Sequence, residues 1–256
     1  MRRIKLVVAY DGTQYCGWQI QPEAPTVEMY LDKAIYELTG ENVHVMGASR
    51  TDAGVHALGN VAVFDTESQI PGDRFTFALN RFLPESIVVQ ESREVSPDFH
   101  PRHCNTQKTY EYRVLNTMVP VPQRRGFTWH VAGDIDIERI KKAASYIVGE
   151  HDFKSFCCVK TQAESTVRTI YSLDVYRDAD EIVLRIRGNG FLYNMVRIIT
   201  GTLIQVGKGR FKPEYVKEML AAKDRTVAGQ TAPPQGLTLM RIDYVDKDDA
   251  VYDGCE

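Results

Sequence analysis

A chain of 256 residues with 43% apolar and 25% charged side chains is long enough for a substantial core and has the composition of a folded globular protein, which argues against disorder. No apolar run approaches the roughly 18 residues of a membrane span, and the opening stretch to Tyr10 reads as a strand rather than a leader. The formal charge of −3 is uneven: six acids and one lysine between Asp243 and Glu256 leave the rest of the chain weakly basic.

In chain order, the Val- and Ile-rich stretch 3–10 predicts a strand, turned by Asp11-Gly12-Thr13. Thr26 stands as an N-cap before Val27, Tyr30, Leu31, Ala34, Ile35 and Leu38 at helical spacing, with Gly40 as the stop. Strands are expected near 43–48 and 60–66, a helix from Phe75 to Phe82 closed by Pro84, and a strand from Ile87 to Val95. This order, β-α-β-β-α-β, is a ferredoxin-like pattern. The second half repeats it with insertions. Strands are expected over 109–115 and 126–131, and Ile137, Ile140, Ala144, Ile147 and Val148 mark a helix ending at Gly149. Strands 167–176 and 182–187 flank the turn Asp178-Ala179-Asp180. The stretch 192–206 is apolar nearly all round and predicts a buried helix. A helix opened by Pro213 and a strand over 237–244 complete the chain.

The pattern specifies an α+β protein of two ferredoxin-like halves, 1–105 and 106–244, each an antiparallel sheet covered by helices, with an acidic tail over 245–256. A cleft between the halves is the natural place for a ligand. Two loop-like regions stand apart. One is 97–105, linking the halves; the other is 227–236, long enough to be functional or mobile.

The stretch Ser49-Arg50-Thr51-Asp52-Ala53-Gly54-Val55-His56-Ala57 carries the most chemistry. If extended, it places Arg50 and Asp52 on one face. If a loop, Gly54 supplies a tight turn that presents the carboxylate edge-on. Spacing alone does not separate a reactive carboxylate from an ordinary Arg-Asp surface pair. His56 is either a base or a residue that closes the loop. Tyr110 and Tyr112 share a strand face with Lys108, which suits base stacking or simple packing against a helix.

The segment Arg50 to Ala57 resembles the signature of the tRNA pseudouridine synthase A family. So do Tyr10-Asp11-Gly12-Thr13, Gly17-Trp18-Gln19, Lys108 to Arg113, Thr166 to Ile170, and Gly188 to Arg197. One departure is Ala48-Ser49, where a small residue and then glycine would be expected. The resemblance implies isomerisation of uridine to pseudouridine on the 3′ side of the tRNA anticodon stem-loop, with Asp52 as nucleophile. It implies Arg168 as the partner of Asp52, Tyr110 against the target uracil, Phe191 and Leu192 walling the pocket, and a homodimer. Such chemistry needs no cofactor and no metal, in keeping with a sequence that has no P-loop or dinucleotide fingerprint. The base must leave its stack, and Arg50 is placed to fill the vacated space and hold the neighbouring phosphate.

Two other readings are weaker. A non-catalytic RNA-binding protein of two RRM-like modules lacks the full aromatic strand motif, since Arg125-Gly126-Phe127-Thr128 matches only its start. An acid hydrolase using Asp11 and Asp52 as a dyad conflicts with the helices. Basic clusters at Arg2-Arg3-Lys5, Arg124-Arg125, Arg185 with Arg187, and Lys208 to Lys212 suggest a phosphate track, though each alone is more often a solvated face. His100 to Cys104 lacks the paired spacing of structural zinc. The five scattered cysteines show no disulfide pattern, so reduced thiols and a cytoplasmic location are expected.

Overall fold

The computed structural model describes residues 1–158 and 164–245; the expected acidic tail, from 246 on, lies outside them, as does Cys255. The chain forms two compact units, one of residues 1–106 with 239–245, the other 107–238. Both are α+β.

The first unit contains β1 (Arg2–Tyr10), α1 (Val27–Thr39), β2 (Met46–Gly47), β3 (His56–Thr66), α2 (Phe75–Leu79) and β4 (Ile87–Val95), in the expected order. Its sheet runs β4-β1-β3, with β10 (Leu237–Tyr244) next to β3 and the short β2 paired to β3. In β1, Ile4, Leu6, Val8 and Tyr10 all point into the core, as period two requires. The β1–β3 ladder is regular from Arg2↔Thr66 to Val8↔Asn60, then slips so that Tyr10 faces Ala57. Such a bulge bends the strand end and re-aims its side chain.

Helix α1 buries Val27, Leu31, Ala34 and Ile35, and Gly40 ends it in the left-handed region at φ 75°. Thr26 occupies the N-cap position in extended backbone without making a side-chain cap bond. The strand expected over 43–48 contracts to Met46–Gly47 because the backbone of Val45 is drawn to Asp32 on α1 (2.8 Å). The helix expected to reach Phe82 stops at Leu79. Asn80 ties both its amide atoms to the backbone of Val89 (2.9 and 2.8 Å), ending the helix against β4.

The second unit contains β5 (Thr106–Leu115), β6 (Trp129–His130), α3 (Ile137–Ser145), β7 (Gly149–Asp152), β8 (Val167–Asp178), β9 (Glu181–Gly188), α4 (Met195–Gly207) and α5 (Tyr215–Ala222). Its sheet order is β5-β9-β8-β7, antiparallel throughout, with β6 a short parallel partner of β5. The strand expected over 126–131 is only this two-residue pairing, because residues 124–128 wind into a turn. Gly149, expected to stop a helix, instead opens β7 at φ 114° after α3 has ended at Ser145.

Helix α4 is buried at every position but Arg197, as its apolar sequence predicts. What covers one side of it is the loop 227–236. The Gly229 amide donates to Thr202 Oγ1 (2.9 Å), and Ala232 and Arg197 exchange two bonds (3.1 and 2.8 Å). Tyr112 reaches Pro233 O at 2.6 Å. This long loop is therefore a packed strap.

The outer charges of β5 and β9 are also committed. Glu111, 3% exposed, sits between Arg113 (2.7 Å) and Arg185 (2.6 Å), and Glu181 between Arg113 (2.8 Å) and Arg124 (2.9 Å). Arg185 and Arg124, expected in a phosphate track, are neutralised within the unit.

The close seating of strap on helix makes a sharp test. A methyl on Gly201 would overlap the Gln230 carbonyl oxygen. Alanine gains about 1 kcal/mol of helix propensity over glycine, whereas overpacking against backbone costs about 1–3 kcal/mol or more. Gly201→Ala should therefore lower stability in urea unfolding by up to about 2 kcal/mol net; a stabilised variant would mean the strap is not seated as described.

Candidate active site

Of the two geometries open to Ser49–Ala57, the loop is the one adopted, with β3 beginning only at His56. The amide of Val55 donates to Asp52 O (3.1 Å) and Gly54 has φ 76°, so residues 52–55 form a tight turn with glycine at its third position. Arg50 is exposed, Thr51 buried and Asp52 half-buried, so the carboxylate sits at the surface of a turn whose underside is packed.

That underside is built by the chain between β1 and α1. Trp18 N donates to Thr51 O (3.1 Å) and Gly54 N to Tyr15 O (3.2 Å). Gly17, at φ 94°, leaves room for nothing more: a Cβ there would lie 2.6 Å from Thr51 O and 3.2 Å from Ala53 N. Gly12 is pressed as hard, since a methyl there would overlap the Val55 carbonyl. The bed is joined to the start of α1 through Val27 N to Gly17 O (3.2 Å) and Glu28 N to Trp18 O (3.0 Å). Trp18 is fully buried, tilted against Tyr10 at 5.9 Å.

A polar network fixes the approach to the turn. The bulged end of β1 turns the Tyr10 hydroxyl toward Thr51 Oγ1 (2.7 Å), and Asn60 Nδ2 donates to Ser49 O (3.0 Å) and to Tyr10 Oη (3.3 Å). All three side chains are buried. His56 Nδ1 accepts from Gly12 N (3.0 Å), which places the ring proton on Nε2, so the imidazole closes the loop from behind. Asp11 Oδ1 accepts from the amide (2.9 Å) and hydroxyl (2.6 Å) of Thr13 and caps a short turn, a role that does not suit one half of an acid dyad.

The remaining candidates lie in the second unit and come together there. Tyr110, 7% exposed on β5, meets Phe191 edge-on at 5.2 Å. Arg168, near the start of β8, donates Nη1 to Ser165 O (2.9 Å) and Val167 O (2.6 Å). Burial lowers its pKa, with the Cys157 thiol acting in the opposite sense. The turn Gly188-Asn189-Gly190 passes over it. Asn189 exchanges two 3.0 Å bonds with Thr169, and Gly190 lies against the Arg168 side chain, where a Cβ would be 3.6 Å from Nε. Gly188 has room only for hydrogen, between Thr169 O and the Phe191 ring. Leu192 is buried, and Tyr112 is core, its hydroxyl pKa pushed up by burial. Among the described residues no three His, Cys, Asp or Glu side chains converge as a metal site requires.

Sequence reasoning assigned no role to Tyr10, Trp18 or Asn60. The signal of Tyr10 and Trp18 was present only as aromatics beside glycines, and the bonds that tie them to Thr51 and Asn60 span more than thirty positions of chain. The network predicts non-additivity. Tyr10→Phe and Thr51→Val should each cost about 1–2 kcal/mol in urea unfolding, and the double variant should cost about 0.5–1 kcal/mol less than their sum. Strict additivity would mean the two hydroxyls do not bond.

The sequence profile described as tRNA pseudouridine synthase matches residues 6–103 and 143–245. The chain is 49% identical over 244 residues to tRNA pseudouridine synthase A of Thermoanaerobacter sp. (strain X514), covering 95% of this chain and all of that protein. It is 48% identical, at the same coverage, to the proteins of that name from Brevibacillus brevis and Acetivibrio thermocellus. A solved structure of a Cbf5-Nop10-Gar1 complex superposes with a TM-score of 0.31 at 11% identity, over 92% of this chain and 56% of that one, too slight a likeness to argue from.

Proposed function

We propose that Asp52 is the reactive carboxylate of this chain, which belongs to the tRNA pseudouridine synthase family. The enzyme is an isomerase that converts uridine to pseudouridine in tRNA. The reaction breaks the bond from uracil N1 to ribose C1′, turns the base, and forms a bond from C5 to C1′. The C5 hydrogen leaves as a proton to water while N1 takes a proton up, so no oxidant and no co-substrate enters the balance. Asp52 takes part as nucleophile, at ribose C1′ or at uracil C6.

The observation that carries this reading is the way the carboxylate is held. A half-buried aspartate stands on a tight turn backed by two glycines and a buried three-residue network, so the backbone that carries it is fixed before substrate arrives. Ordinary surface carboxylates have no such bed. In the second unit, Tyr110 offers the uracil a ring already fixed against Phe191, and Arg168 supplies a desolvated cation to the bound nucleotide. Arg50, exposed two residues before Asp52, holds the phosphate beside the reacting uridine while the base is out of its stack.

The substrate is taken to be the 3′ side of the anticodon stem-loop. The four described cysteines are free thiols, in keeping with a cytoplasmic enzyme, and no helix among the described residues is long and apolar enough to cross a membrane. A homodimer is the assembly that suits it best. With Arg124 and Arg185 engaged by Glu181 and Glu111, a partner chain would enlarge the basic surface open to a tRNA.

Two measurements test this reading. Transfer RNA carrying tritium at uracil C5 should release it to water with the native enzyme. Asp52→Asn should release it at least about a thousandfold more slowly, with tRNA affinity unchanged within about threefold; substantial turnover by that variant would remove Asp52 from the mechanism. For the dimer, a chain lacking Asp52 is mixed with one in which Lys208, Arg210 and Lys212 are neutralised. If tRNA held by one subunit is modified by the other, heterodimers should keep about half the activity; heterodimers as inactive as either parent would show that each subunit works alone.

A further inference from the structure

The segment 97–105, expected to be a linker, is fastened to the first unit on every side. Lys5 Nζ lies 5.2 Å from the Phe99 ring centre and 4.7 Å from that of Tyr244. Arg3 donates to Phe99 O (2.8 Å), the Tyr244 hydroxyl to Pro101 O (3.1 Å), and Val245 N to Asn105 O (2.9 Å). Within it, the amide of Arg102 donates to His100 Nδ1 (3.1 Å), Cys104 Sγ to His100 O (3.2 Å), and the His100 and His103 rings stack at 3.8 Å. A loop held this firmly presents its side chains in fixed directions.

Arg102 is the residue so presented. Its Nε donates to Gly47 O at 2.8 Å, and Gly47 packs directly on Trp18, whose amide in turn holds Thr51. The guanidinium is therefore anchored by its inner nitrogen to the bed of the Asp52 turn. Its outer two nitrogens keep the fork geometry that suits an anion. Arg50 is near enough for charge repulsion to lower the Arg102 pKa, after burial, with only Glu28 opposing it. Among the described residues neither arginine enters an ion pair. By contrast Arg3, close by, is fully engaged by Asp65 at 2.8 and 2.7 Å. Two like charges kept together, with Glu28 as the one carboxylate acting on Arg102, cost stability unless an anion joins them.

We propose that Arg102, backed by His100 and His103, is a second phosphate seat, which binds the RNA backbone one or more nucleotides away from the phosphate held by Arg50. The seat rests on the proposed function for its choice of RNA over other anions. It adds a contact at a distance from the chemistry, so its binding is made in the ground state as fully as in the transition state. The pairing of His100 Nδ1 with the Arg102 amide leaves its Nε2 as a donor, and His103 is exposed beside it, so the seat offers ring nitrogens as well as the guanidinium.

The test uses the full chain and a synthetic anticodon stem-loop with one target uridine, in which each phosphate in turn is replaced by a neutral methylphosphonate. Native enzyme should lose about tenfold in affinity at two positions. Arg102→Gln should bind the unmodified stem-loop about tenfold more weakly, with kcat changed less than twofold. Its log–log salt slope should fall by about one, and it should become indifferent to one of the two replacements while Arg50→Gln becomes indifferent to the other. If Arg102→Gln fails to fold, the scan on native enzyme decides alone, and a single sensitive position overturns the seat. A fall in kcat with unchanged KM would also overturn it, making Arg102 a support of the Gly47 turn. Inorganic phosphate that displaces the stem-loop equally well from native and Arg102→Gln enzyme supports the proposal, whereas selective, tight displacement from the native enzyme would assign the seat to a free anion. Binding is read without turnover, so a failure of Asp52 in catalysis leaves this result intact.

Discussion

The Asp52 turn depends on backbone lying directly on backbone. Gly17 and Gly12 bring the chain between β1 and α1 against Thr51, Ala53 and Val55 with no side chain between them. Hydrogen bonds from Trp18 and to Tyr15 then lock the two segments together. The backbone that carries this carboxylate has little freedom left to lose when substrate binds, because its ordering has been accomplished on folding. Any residue larger than glycine at either position would lift the turn and move the carboxylate by the width of a methyl group. The same logic operates in the second unit, where Gly188 and Gly190 let a turn cross Arg168 and reach Phe191.

These contacts explain why the elements around the turn have the form they do. The slip in register near the end of β1 is not a defect in the ladder. It swings Tyr10 from the regular pattern toward Thr51, where its hydroxyl bonds Thr51 Oγ1 and accepts from Asn60 Nδ2 in a place water does not reach. Helix α1 contributes through its first turn, whose free amides meet carbonyls of Gly17 and Trp18. This use of the amides at the helix start fits with Thr26 making no side-chain cap.

Much of the architecture was legible because it follows from periodicity. The strand 87–95, the buried helix near 192–206 and the β-α-β-β-α-β order were read from alternation and apolar spacing, which report burial directly. Short pairings were not legible. Nothing local in Trp129-His130 announces a two-residue parallel bridge, and β7 was hidden because Gly149 reads equally as a helix stop or a strand start. The joining of residues 239–245 to the first unit is likewise a matter of long-range pairing, to which composition is blind. At the site, Asp52, Arg50, Tyr110 and Arg168 came from resemblance, since an Arg-x-Asp spacing is common. The bed beneath Asp52 was written in glycines and aromatics whose partners lie far along the chain.

Charge was the most misleading part of the sequence, and the reason is instructive. Clusters of arginine count alike in a composition, yet their availability is decided by what lies across the strand. Arg185 faces Glu111 in the β5–β9 register, and Arg124 is brought by its turn onto Glu181, so both are engaged by carboxylates before any phosphate arrives. Arg50 and Arg102 look weaker in the sequence, one beside an aspartate and the other inside a histidine-rich loop. The fold gives Asp52 its own bed, gives Arg102 a carbonyl rather than a carboxylate, and leaves both guanidinium groups positive. For a protein with a slightly negative total charge, affinity for a polyanion then depends on a few cations that folding has left unneutralised rather than on the number of basic residues.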